Sequence, residues 1–249
     1  LELGVNRISM GVQSFDDKVL RFMNRRHTAA EAVRAYAILE ESGVRNISID
    51  LIFGLPQLSM SQWRETLDKA LAISSRGVLP QHISSYQLSV EPGSMLARLV
   101  EKGRWSEAPE EVCQEQYAEL CSVLASAGYN HYEISNFARK GLYSRHNIKY
   151  WTGGEYLGFG PNASSDFAGR RFTIIRDLQG YIDGIKNGGE VLQDVEDIPI
   201  RERAGEYLMM RLRTVTGLDP REYEKRYLLP FAPLNSCLEK CKEQGLAMK

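Results

Sequence analysis

Val44-Arg45-Asn46-Ile47-Ser48-Ile49-Asp50-Leu51-Ile52-Phe53, closed by Gly54-Leu55-Pro56, is the stretch on which the fold turns. Ile47, Ile49 and Leu51 alternate with Ser48 and Asp50, the period of two that sends successive side chains to opposite faces of a β-strand. Pro56 has no N–H to give to a ladder, so the strand ends at the Gly-Leu-Pro turn. Upstream, Val5 to Val12 reads as another strand. Thr28 to Ser42 reads as a helix with Ala30, Val33, Ala37 and Ile38 on one side, and Gly43 follows as its C′ residue. Downstream come a helix from about Ser59 to Ser75, a strand near His82 to Leu88, and a helix that Pro109 opens and that runs to about Ala127. Three strand-then-helix units in a row predict an α/β fold, a partial (β/α) barrel, with an open doubly wound sheet as the alternative.

After residue 128 the texture changes. Tyr129 to Phe172 is rich in glycine and aromatic residues and reads as an irregular segment against the barrel. From about Ile174 the chain reads helical: Leu178 to Lys186, Ile200 to Arg213, Pro220 to Tyr227 and Leu234 to Gly245. The expected domains are therefore residues 1–173, barrel plus aromatic segment, and a small, mainly helical domain at 174–249.

Composition narrows the function classes. Of the 249 residues, 43% are hydrophobic and 25% charged, the balance of a globular protein with a sizeable core. A formal net charge of -1 supplies no general pull toward nucleic acid. No apolar run is long enough for a membrane-spanning helix, and peripheral membrane association is not legible in the sequence. Leu1-Glu2-Leu3-Gly4-Val5 has no initiator Met and no signal-peptide core, so a cytoplasmic setting is the expectation. The first strand opens near residue 5 with no barrel strand before it, and the last helix runs out at Met248-Lys249. The chain reads as a piece of a longer protein.

Polar residues at the C-terminal ends of strands point into the site in such folds. Gln13 ends the first strand, Asp50 is a lone carboxylate in an apolar strand, and Arg25 enters the first helix in Asn24-Arg25-Arg26-His27. A buried Asp needs a cation, N–H donors or a polar ligand, so a structural salt bridge and a functional role stand level for Asp50. Cys113, Tyr117, Cys121 and Leu124 share a helical stripe and read as core. Cys237 and Cys241 lie one helical turn apart and are two ligands short of a tetrahedral site.

The segments Gly4-Val5-Asn6-Arg7-Ile8-Ser9-Met10-Gly11-Val12-Gln13-Ser14-Phe15, Asn24-Arg25 and Asp50-Leu51-Ile52-Phe53-Gly54-Leu55-Pro56 together resemble the oxygen-independent coproporphyrinogen III oxidases and their relatives in the radical S-adenosylmethionine superfamily. The resemblance implies that Gln13, Arg25, Asp50 and Ile52 line an S-adenosylmethionine site, Arg25 facing the methionyl carboxylate and Ile52 forming an apolar wall. Tyr132-Glu133-Ile134-Ser135-Asn136-Phe137, His146-Asn147-Ile148-Lys149-Tyr150-Trp151 and Tyr156-Leu157-Gly158-Phe159-Gly160-Pro161 resemble the haem-chaperone branch of that superfamily. There the histidine of HNxxYW is implicated in haem binding, so the resemblance implies His146 as a ligand of haem iron; nearby aromatic rings can pack on a porphyrin face, and Tyr150, Trp151 and Tyr156 are the candidates. An imidazole is a good axial ligand on chemical grounds; the bland reading is that His146 and Asn147 close a turn and Trp151 is core.

The resemblance also implies a [4Fe–4S] cluster held by a CxxxCxxC loop, which this sequence does not contain; its ligands are expected upstream. Where relatives carry Gly-Ala-His-Ser, this chain has Asn162-Ala163-Ser164-Ser165, so a histidine expected there is replaced by Ser164. The implied function is a haem chaperone that binds haem or porphyrin and passes haem to an apo-haemoprotein. Oxidation of coproporphyrinogen III in porphyrin biosynthesis is the alternative.

Overall fold

The computed structural model describes residues 2–245; Leu1 and residues 246–249, where the sequence reading ends the last helix, lie outside the described residues. The chain divides into two units, Leu1–Ser144 and Arg145–Lys249.

The first unit runs β1 (Arg7–Gln13), α1 (Asp17–Phe22), α2 (Ala29–Glu41), β2 (Asn46–Phe53), α3 (Met60–Leu71), β3 (His82–Gln87), α4 (Met95–Glu101), α5 (Glu110–Ser126), β4 (Asn130–Glu133) and β5 (Asn136–Ala138). β1, β2 and β3 pair in parallel. β5 joins β3 antiparallel and β4 closes the order β1-β2-β3-β5-β4. The helices start where the sequence supplies caps: Thr28 with Glu31, and Ser59 with Gln62, each form a capping box. Pro109 is the N-cap of α5, and Gly43 takes the left-handed φ of 83° that ends α2.

The alternation in β2 divides the sheet into two chemical faces. Ile47, Ile49, Leu51 and Phe53 are buried with Tyr36, Trp63, Leu67, Leu120 and Leu124 of the helices, forming one aliphatic and aromatic core. Cys113 is buried at its edge and Cys121 packs against it, as the helical stripe predicts. Gln116, fully buried, ties this layer together: it accepts from the Gly54 N–H at 2.8 Å and donates to the Leu58 carbonyl at 2.8 Å, while its own carbonyl receives the Trp63 indole N–H at 2.9 Å. Gly54 has φ +74°, and a Cβ there would meet the Gln87 and Cys113 side chains.

The opposite face is polar. In register across it stand Ser9, Ser48 and His82, then Gly11, Asp50 and Ser84. His82 is 1% exposed, and both ring nitrogens are engaged, Nδ1 with Ser48 Oγ at 2.8 Å and Nε2 with the Tyr132 hydroxyl at 2.7 Å. Burial, helped by the nearby Arg7 guanidinium, pushes the His82 pKa down to about 3, and burial pushes Tyr132 up to about 12.

The second unit runs α6 (Arg145–Trp151), β6 (Ser164–Phe167), β7 (Arg170–Ile174), α7 (Leu178–Asn187), β8 (Leu192–Asp197), α8 (Ile200–Arg211), α9 (Pro220–Tyr227) and α10 (Ala232–Glu243). Its division from the first unit at Ser144/Arg145 lies upstream of the 173/174 boundary read from composition. α6 packs with α8, and the β6-β7-β8 sheet begins inside the aromatic segment. The unit is also less purely helical than its sequence predicts. β8 escaped notice because every residue in it is exposed, leaving no buried alternation to read. Its core is built from Tyr207, Tyr223, Tyr227 and Phe231. Asp166 holds it together laterally, accepting from both Arg171 and Arg203.

Two predictions follow from this packing. Gln116→Ala leaves the Gly54 N–H and the Leu58 carbonyl buried without partners and should cost about 2–4 kcal/mol, read as a lower denaturant midpoint. A midpoint within error of the parent would contradict that role. His82 is neutral in the folded chain but takes a proton when unfolded below its ordinary pKa of 6.5. Its contribution is therefore intact above that pH and is lost as the pH falls toward 3. In His82→Asn the slope of stability against pH between those limits should be shallower by up to about one proton; an identical slope would show that His82 is protonated in the fold.

Candidate functional site

Asp50 sits in the middle of β2 on the polar face, half-buried between two strands that each offer it a hydroxyl. Ser9 of β1 donates to its Oδ1 at 3.1 Å, and Ser84 of β3 hydrogen-bonds to it from the other side. Burial raises its pKa, while the two hydroxyls and the Arg7 guanidinium act in the opposite direction. No salt bridge closes on Asp50 among the described residues. The carboxylate is thus held in place by neutral donors and keeps acceptor capacity for a ligand.

Gln13 ends β1 at a register shift between Gly11 and Gln13, with φ 67°. A left-handed conformation costs an ordinary L-residue about 1–2 kcal/mol. It turns the side-chain amide back over Gly11, where a Cβ would lie 2.7 Å from Gln13 Nε2. Gly11 is in turn the β1 partner of Asp50, so a strained bulge brings the Gln13 amide to the strand position beside the carboxylate.

Arg25 follows α1, its backbone N–H bonded to the Leu20 carbonyl at 2.9 Å. The side chain is exposed and has no ion-pair partner among the described residues. Arg25 and Ile52 line one apolar hollow of about 370 Å³ with Phe22, Met23, Leu96 and Leu99. The four residues singled out in the sequence thus form two adjoining groups, Gln13 with Asp50 at the polar face and Arg25 with Ile52 at the hollow. Ile52 follows Asp50 by two residues on β2, which links them.

In the second unit, His146 is exposed on α6. Its Nε2 lies 3.0 Å from the Tyr150 hydroxyl, one turn along the helix, and the two rings meet edge to face at 4.9 Å. Tyr150 also meets Tyr156 edge-on at 4.7 Å. Trp151 faces elsewhere: its ring lies under the Arg213 guanidinium at 5.8 Å. The structure brings His146 and Tyr150 together and gives Trp151 a different neighbour. Asn162, where relatives carry glycine, has φ 62°, a left-handed position that Asn tolerates better than most residues. Ser164 opens β6.

Sequence reasoning gave no role to Arg7, Ser9, Ser84 and Tyr132, and left His82 as structural or unassigned; with both ring nitrogens engaged, His82 is structural. The signal was present. The rule that singled out Asp50, a polar residue at every second position, also marks Arg7 and Ser9 on β1 and His82 and Ser84 on β3. Among the described residues no helix is long and apolar enough to cross a membrane.

Residues 1–70 match the model of the radical SAM superfamily. Among curated proteins, the heme chaperone HemW of Bacillus subtilis is 34% identical over 226 residues, 91% of this chain and 58% of that protein. HemW of Synechocystis is 35% identical over 87% of this chain and 52% of that protein. The mitochondrial radical S-adenosyl methionine domain-containing protein 1 of Mus musculus is 40% identical over 66% of this chain and 36% of its own length. The chain thus spans about half the length of the HemW proteins it matches. Among solved structures, the coproporphyrinogen III oxidase HemN of Escherichia coli superposes with a TM-score of 0.74 over 95% of this chain and 56% of that one, at 21% identity, a likeness of fold. Over residues 1–70 the chain is similar to the radical SAM superfamily, and over about nine tenths of its length it is similar to the heme chaperone HemW.

Proposed function

We propose that the protein containing this chain is a haem chaperone, which binds haem at His146 and passes it to apo-haemoproteins, and which also holds S-adenosylmethionine at Gln13, Arg25, Asp50 and Ile52. The observation that carries the reading is the exposed imidazole of His146, set on α6 against Tyr150 and Tyr156, in a chain similar to HemW. A neutral imidazole is a good axial ligand for haem iron, and aromatic edges beside it can pack on a porphyrin. Haem is the cargo here. To ligate through Nε2, His146 must give up its hydrogen bond to Tyr150, and Tyr150 is then free to turn toward the macrocycle. Trp151 is assigned a porphyrin contact as well, at the cost of its stacking under Arg213.

The residues of the first unit suit S-adenosylmethionine. The unpaired fork of Arg25 matches a carboxylate bidentately, Ile52 offers an apolar wall, and Asp50 accepts from ammonium or ribose hydroxyl donors. S-adenosylmethionine held there would supply radical chemistry only in concert with a reduced [4Fe–4S] cluster. This chain's residues bind and orient it. The cluster does not fit here: among the described residues no three His, Cys, Asp or Glu side chains are grouped to hold a metal ion. Four free cysteines accord with a reducing, cytoplasmic setting.

Haem titration of the whole protein, followed at the Soret band, tests the reading. His146→Ala should weaken haem binding by about tenfold or more with an unchanged circular dichroism spectrum, while Tyr150→Phe, which removes the competing hydroxyl, should retain or tighten it. Equal affinity in His146→Ala would remove His146 as the ligand. No Soret shift in any protein would turn the assignment to coproporphyrinogen III oxidation, assayed by anaerobic turnover. Separately, Arg25→Ala should weaken S-adenosylmethionine binding in equilibrium dialysis by about tenfold, with Arg25→Lys recovering only part of it; full affinity in Arg25→Ala would place the carboxylate elsewhere.

A further inference from the structure

On the sheet face opposite Asp50, two metal-ligating side chains meet where α5 runs beside β4. Cys121 Sγ of α5 lies 4.0 Å from Nδ1 of His131 on β4. His131 stands in register with Phe137 and Ile83, both fully buried in the core. β4 is the edge strand, however, and there His131 is only partly buried, as is Cys121 on the helix above it. Neither residue belongs to the sites described above.

The imidazole is held in one orientation and one tautomer. It stacks on Phe137, with centroids 4.3 Å apart and 13° between planes, and the Tyr117 ring meets it edge-on at 6.0 Å. Its Nε2 lies 3.3 Å from the Ile134 carbonyl and 3.2 Å from the Tyr117 hydroxyl. Tyr117 donates its own proton to the same carbonyl at 2.8 Å. A carbonyl can only accept, and the Tyr117 proton is already committed, so Nε2 carries the ring proton. Nδ1 therefore keeps its lone pair, on the side of Cys121. A thiol is a weak donor, and across 4.0 Å it leaves that lone pair almost unused. Metal-binding histidines are set up in this way, the far nitrogen donating to a carbonyl and the near one free to ligate.

The spacing and the donor set choose the ion. Zinc binds imidazole nitrogen at about 2.0 Å and thiolate sulfur at about 2.3 Å, so two ligands of a tetrahedral ion stand about 3.5 Å apart. The 4.0 Å here opens a wider angle at the metal. Among the described residues no third His, Cys, Asp or Glu is grouped with the pair, so the four-ligand closure of a structural zinc site is not on offer. A thiolate with an imidazole suits a soft ion content with two ligands. We propose that Cys121 and His131 form a surface site for copper(I), bound through the thiolate sulfur and Nδ1. On binding, the S–H bond breaks, its electron pair stays on sulfur and is shared with the metal, and the proton leaves to solvent. Copper neither gains nor loses an electron. Without the metal, burial holds the Cys121 thiol pKa up against the Tyr117 hydroxyl, so the sulfur keeps its proton.

Anaerobic copper(I) titration of the 249-residue chain, against bathocuproine disulfonate as competing chelator, tests the site. Cys237→Ser with Cys241→Ser forms the background, because those two thiols lie outside the core and would take copper(I) themselves; Cys113 is buried. A single equivalent of copper(I) is expected in this background, with a thiolate-to-copper absorption in the near ultraviolet. Cys121→Ser should abolish that absorption, and His131→Phe, which keeps a ring on Phe137, should weaken binding by about a hundredfold. Tyr117→Phe retains both donors but loosens the imidazole, and should cost about tenfold. Absence of a stoichiometric site in the background chain overturns the proposal, as does undiminished affinity in His131→Phe or preferential binding of zinc(II) at the pair. Should either ligand variant fail to fold, alkylation of Cys121 by iodoacetamide in the background chain decides: one equivalent of copper(I) is expected to block it, and labelling at an unchanged rate would overturn the site.

Discussion

A carboxylate in the middle of a sheet must be solvated by the protein once water is partly removed, and the geometry around Asp50 follows from that requirement. Isolated in an apolar strand, it would take up a proton or unfold the strand. Ser9 and Ser84 meet it from the neighbouring strands, and they can do so only because β1, β2 and β3 run parallel in a fixed register. A slip of one residue would turn Ser9 and Ser84 to the aliphatic face and leave Ile47, Ile49 and Leu51 facing mismatched neighbours. The polar cluster and the hydrophobic core therefore specify the same register from opposite sides of one sheet.

The polar face shows a gradation from structure to chemistry. His82, with both nitrogens engaged and its proton excluded by burial, is a fixed neutral strut. Asp50, one strand away, has donors that position it without neutralising it. Arg25 is left with no ion-pair partner among the described residues. The groups proposed to face a ligand are those whose hydrogen-bonding capacity the fold does not exhaust, whereas Gln116 has a fully committed amide and belongs to the scaffold.

Most of the first unit was legible in its sequence because its elements obey simple rules: alternation in β2, helices opening at Thr28 and Ser59, a breaking proline after Phe53. The extent of α2 was legible but its buried side was not: Val33 and Ile38, read as its apolar stripe, are exposed, and Ala32 and Tyr36 face the core. α1, α4, β4 and β5 went unread, each too short to show a period, so the irregular segment expected from Tyr129 begins instead with two strands of the main sheet. The second unit was harder for a physical reason. β8 is exposed along its whole length and β6 begins Ser-Ser-Asp, so neither displays the buried alternation that betrays a strand. For the site, Gln13, Arg25, Asp50, Ile52 and His146 stood out from motif and resemblance. What no sequence pattern carried was the partnership between them: the bulge that turns Gln13 and the hydrogen bond between Tyr150 and His146, set by strand register and by a single helical turn.

The two cores differ in kind, one aliphatic around the fully buried Trp63, the other a cluster of tyrosines with Phe231. That difference gives each unit its own optical signature. Trp63, sealed from water and bonded through its indole, emits as a buried tryptophan for as long as the sheet and α5 stay together. The packed phenols of Tyr207, Tyr223 and Tyr227 contribute near-ultraviolet dichroism of their own while α8 and α9 remain docked. The chain has three tryptophans, at positions 63, 105 and 151, of which the last belongs to the second unit; with Trp105 and Trp151 replaced by phenylalanine, the emission of Trp63 follows the melting of the first unit by itself, without an added label.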